Sequence, residues 1–171
     1  MCASPVVFCE RTGNWAAAWR RLQARREQVR LTGSRPTPSQ AALSGSRVRA
    51  SPRLIETRSA AECREVLAAN RGSFVVVELE PVRAEQALDL LFDIGEGFRE
   101  ATSVVVASRQ MLGHEWLARE LGAQAFVVSP LEIEQLCDLA QRHAGRSIGR
   151  ASAETGDVRE RVWMNLPWGG T

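Results

Sequence analysis

Short runs of β-branched and other apolar residues alternate along this chain with stretches in which apolar positions recur every three or four residues. Residues 5–9 open as a buried strand. Trp15, Ala18, Trp19 and Leu22 then follow at helical spacing, with Arg20, Arg21, Arg25 and Arg26 on the other side. Residues 54–57 read as a weaker strand, and Ser59 is placed to cap the next helix, with Glu62 three residues on completing a capping box. Residues 74–79 are a continuous apolar strand apart from Glu78, followed beyond Pro81 by a helix carrying Ala84, Ala87, Leu88 and Leu91. A fourth strand is predicted at 103–107 and a fourth helix at 112–121, closed by Gly122 as a C-terminal cap. The fifth strand falls at 125–128 and the last helix at 131–143.

Five strands separated by helices predict an α/β fold, a doubly wound five-stranded parallel sheet of flavodoxin-like form. Helices cover both faces, because every parallel crossover needs a helix to carry the chain back. Two regions fall outside the pattern. Residues 32–52 are rich in Ser, Gly, Pro and Arg and read as a flexible excursion that folding does not need. The domain is expected to span 1–145, with 146–171 a flexible spacer and tail ending in Val162, Trp163, Met164, Asn165, Leu166, Pro167 and Trp168.

Composition sharpens this in three ways. The 171 residues, 44% hydrophobic and 25% charged, suit one globular domain with an extension. No apolar run approaches the roughly 18 residues of a membrane span, and the first ten residues lack a signal peptide's basic start and cleavage site, so a cytoplasmic protein with no membrane contact is expected. All 22 basic residues are Arg, which excludes a Walker-type phosphate loop, a Schiff-base lysine and a Ser-Lys dyad. Cys2, Cys9, Cys63 and Cys137 are scattered, so neither a disulfide scaffold nor a structural metal site is expected, and no cofactor is implied. Cys63 with Val66 and Leu67, and Cys137 with Ile133, Leu136 and Ala140, read as core thiols.

Residues 121–131 run Leu-Gly-Ala-Gln-Ala-Phe-Val-Val-Ser-Pro-Leu, which resembles the fifth-strand segment of bacterial response-regulator receiver domains. In that family the stretch has Leu-Gly-Ala, an aromatic, two apolar residues and then Lys-Pro. Residues 104–108 are similar to the family's fourth strand ending in Thr or Ser, and 75–81 to its third strand and following proline. The resemblance covers residues 5–144 apart from the excursion. It implies a phosphoacceptor aspartate ending the third strand, acids after the first strand to hold Mg²⁺, a hydroxyl after the fourth and a lysine before the fifth-strand proline. The acceptor position is instead Val77, or Glu78 if the strand is one residue shorter, and the lysine position is Ser129. Cys9-Glu10-Arg11 stands where the metal acids would, with one acid and a cation. Ser108 and the aromatic Phe126 are retained. The resemblance thus implies signal transduction, with the phosphoryl-transfer machinery dismantled and no enzymatic activity.

Single residues keep more than one reading. Glu78 either mimics a phosphorylated acid or, as preferred, faces solvent or pairs with Arg11 or Arg109. Ser108 is read as a hydroxyl bonding local backbone in preference to a switch. A nucleophile at Cys9 or Ser108 would need His114 or His143, neither at a strand's carboxyl end. Residues 11–58 hold 11 Arg against Glu27 and Glu56, whereas 59–141 hold 14 acids against 6 Arg. That basic front supports an alternative, a nucleic-acid-associated regulator, but it lacks interleaved aromatics and the net charge is only +2, so this is disfavoured. The preferred function is a regulatory protein-interaction module. Its contact or homodimer surface would be the fourth helix, fifth strand and fifth helix, with Trp116 and Phe126 as candidates, Trp116 being either an exposed anchor or packed inward. Trp163 and Trp168 would anchor a docking peptide or fold back on the domain.

Overall fold

The computed structural model describes residues 4–32 and 52–153. Five strands, β1 (Val6–Cys9), β2 (Leu54–Thr57), β3 (Phe74–Leu79), β4 (Thr102–Ala107) and β5 (Phe126–Val127), form one sheet in the order β2-β1-β3-β4-β5. Every pairing is parallel, with Val6, Val7, Phe8 and Cys9 of β1 set beside Phe74, Val75, Val76 and Val77 of β3. This is the flavodoxin-like order expected of alternating strands and helices. Of the excursion only residues 32 and 52 are described, and the tail beyond Ala153, with Trp163 and Trp168, lies outside the described residues.

Alternation along the strands sorts the core into two layers. On one face Val6, Phe8, Phe74, Val76, Val104 and Val106 meet α1 (Asn14–Thr32) and α5 (Ile133–Ala153). The rings of Phe8 and Trp19 pack edge to face at 5.6 Å between centroids. On the other face Val7, Val75, Val77 and Val105 meet α2 (Ala60–Ala69), α3 (Ala84–Gly97) and α4 (Glu115–Glu120). Cys63 and Leu67 of α2 are fully buried there, and Cys137 of α5 is buried on the first face.

Several local details depart from the sequence pattern for identifiable reasons. In α1 it is Ala16, not Ala18, that is fully buried, because the stripe of Trp15, Trp19 and Leu22 turns its edge toward residue 16. In α3 the buried set is Ala87, Leu90, Leu91 and Ile94, with Leu88 at the margin. Ser59 caps α2 by accepting from the Glu62 N–H at 3.2 Å. The returning Glu62 carboxylate takes the Arg58 N–H at 2.8 Å instead of that of Ser59, which moves the second half of the box back one residue. The fourth helix is shorter than expected, since residues Arg109–His114 form a 3-10 turn and only Glu115–Glu120 are α-helical. It closes as a Schellman motif: Gly122, at φ +94°, donates to the Arg119 carbonyl and Ala123 to that of Ala118. The last helix does not stop at 143 but continues through 145, where the spacer was expected, to Ala153. A glycine inside a helix costs only about 1 kcal/mol, and extending a helix already nucleated by packing is easy.

Candidate functional site

In the order β2-β1-β3 the chain leaves β1 to one side and returns on the other, which opens a crevice at the carboxyl ends of β1 and β3. The side chains there come from the β1–α1 loop, the end of β3 and the entry to α2. Alternation points Cys9 and Val77 toward α2 and α3, and Glu10 and Glu78 toward α1. Val77 is buried in the core, so Glu78 is the residue of β3 that reaches the edge.

Glu10 is almost fully buried and spends both carboxylate oxygens on α1. It accepts from the Trp15 N–H at 2.9 Å and the Ala16 N–H at 2.8 Å, supplying acceptors for two donors that a helix start otherwise leaves bare. Burial raises its pKa above the ordinary carboxylate value, against the pull of the two amide bonds.

Glu78 is engaged by the same loop. Its Oε2 accepts from the backbone N–H of Arg11 at 2.7 Å and of Thr12 at 3.4 Å, and its Oε1 from the Thr12 hydroxyl at 2.8 Å. The pairing with Arg11 is therefore through backbone amide, while the Arg11 guanidinium turns to Glu80 at 3.0 Å. Arg58 straps the loop from outside, donating to the carbonyls of Glu10 at 3.2 Å and Arg11 at 3.3 Å and to Glu56. Thr12, Arg58 and Glu80 have no motif in the sequence. Only the capping box at Ser59, which places Arg58 just ahead of α2, hints at one of them.

The remaining candidates stand apart from this cluster. Ser108 is exposed, ahead of the 3-10 turn, and its side chain does not cap that turn, which corrects the expectation that it bonds local backbone. The Ser129 hydroxyl accepts from the Leu131 N–H at 3.3 Å and so caps the turn after β5. Phe126 is half-buried against the α2–α3–α4 layer. Trp116 is 72% exposed, which removes the inward-packed alternative.

The receiver resemblance implies Mg²⁺ near Glu10, and the donor set does not fit it. Both oxygens of Glu10 and both of Glu78 are committed to N–H and O–H donors, and the adjacent side chain is a cation. Neither histidine serves a nucleophile. His143 sits at the amino ends of β3 and β4, away from the crevice at the carboxyl ends, its Nδ1 2.8 Å from the Thr102 hydroxyl and its Nε2 2.8 Å from the Gly72 carbonyl. A carbonyl only accepts, so Nε2 carries the proton. His114 has its Nδ1 buried without a hydrogen-bond partner. Two of the α1 arginines are already neutralised, Arg20 by Glu56 and Arg26 by Asp138, which reduces what the basic front offers to phosphates.

No protein-family model and no curated protein matches the sequence. Solved structures of response regulators do match the fold. The chain superposes on NtrX from Brucella abortus, solved with ADP, with a TM-score of 0.60 at 15% identity over 95% of this chain, and it spans 30% of the NtrX chain. The signal receiver domain of a putative Luxo repressor protein from Vibrio parahaemolyticus gives 0.59 at 11% identity, covering 88% of this chain and 97% of that one. The receiver domain of the TMAO respiratory system response regulator TorR gives 0.56 at 19% identity, covering 84% and 98%. At these identities the likeness is one of fold, and the fold is the receiver-like, flavodoxin-like α/β architecture. Among the described residues no helix is long and apolar enough to cross a membrane.

Proposed function

We propose that this is a non-catalytic regulatory module, a receiver-like domain without phosphoryl-transfer chemistry that acts by contacting another protein. The observation that carries the reading is the state of Glu78. A receiver's acceptor must offer a free carboxylate oxygen to phosphorus, whereas both oxygens of Glu78 are held by Arg11 and Thr12. Glu10 is spent on the α1 cap and Ser129 on the turn after β5, so the groups that would bind metal and phosphoryl oxygens have local structural work. Glu78 then resembles a permanently bound anion in a nest of amides, a fixed state in place of a switch.

The proposed contact surface is formed by α4, β5 and α5, where Trp116 is 72% exposed and Leu131 90% exposed. Exposed aromatic and aliphatic side chains of that size are what interface anchors require. The partner class is a protein surface, with a second copy of this chain as the simplest case. Two measurements test the reading. Incubation with a small acyl-phosphate donor and Mg²⁺, followed by intact mass, is expected to show no added phosphoryl group, and a base-labile adduct would overturn it. Trp116→Ala is expected to leave the unfolding transition in place while weakening self-association in sedimentation. Unchanged association in a chain that self-associates would move the interface elsewhere.

A further inference from the structure

The cysteines of the crevice are not isolated from each other. Cys9 ends β1 on the face toward α2, and Cys63 lies in the first turns of α2 on the side facing β1. Both converge on one atom: the Ser59 carbonyl accepts from the Cys63 N–H at 3.1 Å and from the Cys9 thiol at 3.6 Å. Among the described residues Cys9, Cys63 and Cys137 are free thiols, and only Cys9 is less than fully buried. Cys9 lines a small cavity of about 50 Å³ together with Arg58, Ser59, Ala60, Val77 and Glu78. One water needs roughly 10–15 Å³ by such a measure, so the space admits a molecule little larger than water. Cys63 does not line it and sits behind Cys9.

We infer that Cys9 and Cys63 form an oxidisable thiol pair, in which Cys9 reacts with a hydroperoxide entering the crevice and Cys63 resolves the product to an intramolecular disulfide. In the first step the Cys9 thiolate attacks the terminal peroxide oxygen, an S–O bond forms, the O–O bond breaks, and the other oxygen leaves, with the proton the Cys9 thiol gave up, as an alcohol, or as water where the oxidant is hydrogen peroxide. In the second the Cys63 sulfur attacks Cys9 Sγ, an S–S bond forms, the S–O bond breaks, and the hydroxide leaves as water with the Cys63 proton. Two thiols and one hydroperoxide become one disulfide, water and the reduced form of the peroxide.

The division of labour has electrostatic support. The Cys9 pKa is lowered, first through its hydrogen bond with Cys63 and in spite of burial, while that of Cys63 is raised by the same bond and by burial. The carboxylates of Glu62 and Glu78 act against the lowering at Cys9, so the Cys9–Cys63 contact is what sets the two sulfurs apart. Cys137, whose pKa burial pushes up to about 12, is the internal control. The bond would fasten the end of β1, just ahead of the Glu10–Thr12 loop, to α2. The inference is independent of the proposed interaction function.

The test is titration of the full reduced chain with hydrogen peroxide, trapping of remaining thiols with N-ethylmaleimide after unfolding, and mass mapping of peptides. The expected product is a monomer lighter by two hydrogens, with Cys9 and Cys63 in one linked pair of peptides and Cys137 alkylated. Cys63→Ser is expected to stop at a Cys9 sulfenic acid captured by dimedone, and Cys9→Ser to leave Cys63 alkylatable. Alkylation of both Cys9 and Cys63 in the peroxide-treated wild type, or a disulfide joining other cysteines or two chains, would overturn the proposal. The wild-type map decides by itself if either variant fails to fold.

Discussion

Glu10 allows a sharp separation of charge from hydrogen bonding. Replacing it with Ala removes the acceptor for two amides on α1, those of Trp15 and Ala16, whose residues are themselves buried. Each buried donor left bare costs about 1–3 kcal/mol, offset in part by relief of the carboxylate's own burial. A net loss of about 3 kcal/mol follows, roughly 10 °C in unfolding temperature for a domain of this size. Glu10→Gln behaves differently. Because burial holds the Glu10 pKa above its ordinary value, the folded state prefers the neutral acid more strongly than the unfolded chain does. The folded protein then binds more protons between the unfolded and folded pKa values, and the Glu10 contribution to stability falls as pH rises through that window. Gln does not titrate, but it offers one acceptor oxygen where the carboxyl offers two, so one of the two α1 amides is left facing its NH2 group. It is therefore expected to lie about 1–3 kcal/mol below the wild type in acid, the cost of one buried donor left bare, and to recover part of that deficit as pH rises toward neutral. Urea unfolding of the three proteins at a series of pH values, with the difference between Gln and wild type as the readout, isolates this one group from the other carboxylates. A Gln variant as unstable as Ala, with the deficit growing as pH rises, would refute the reasoning and show that the cap works by charge.

Other expectations follow from single contacts. Gly122→Ala is expected to cost about 1–2 kcal/mol, purely through the left-handed backbone at φ +94°, since nothing lies within 4 Å of the added carbon; an unchanged urea midpoint would contradict it. His143→Ala removes hydrogen bonds to Thr102 and Gly72 and a ring packed 6.0 Å from that of Phe74, so a loss of about 3 kcal/mol in urea unfolding is expected, against almost none if the ring merely fills space. Deletion of residues 160–171 is expected to leave the unfolding temperature unchanged, as a docking peptide requires, and a lowered value would make Trp163 and Trp168 part of the fold.

Much of the architecture was legible because it rests on patterns that burial imposes. Residues 74–79 are apolar on both sides because β3 is central in the sheet, and no loop or edge strand would carry such a run. Gly122 and Ser59 announce their helix ends because each supplies a conformation or an acceptor that few other residues supply. The entry to the fourth helix was not legible, since a 3-10 turn and an α-helix place apolar residues at nearly the same spacing. The site was legible in outline only. Spacing located Glu10, Glu78, Ser108 and Ser129 at strand ends, but which donor each oxygen takes depends on the path of a loop. Thr12 and Arg58 meet Glu78 and the Glu10 carbonyl across 66 and 48 residues, distances over which periodicity carries no information.

On the proposed reading, the loop between β1 and α1 accounts for how a receiver-like fold can stand without phosphoryl-transfer chemistry. That loop must cross the crevice whatever the chemistry, and its amides of Arg11 and Thr12 need acceptors there. A bound phosphoryl group or a metal-linked carboxylate would be one source of negative charge. Glu78 is another, and being covalently attached it pays no association entropy. Once the anion is built in, Glu10 is free to be withdrawn beneath α1, and the cation of Arg11 is free to pair with Glu80. These contacts are compatible with one another, and together they occupy the carboxylate oxygens that Mg²⁺ would need in the same place. Among the described cysteines Cys9 is the one that lines the crevice, which is what the proposed oxidation requires.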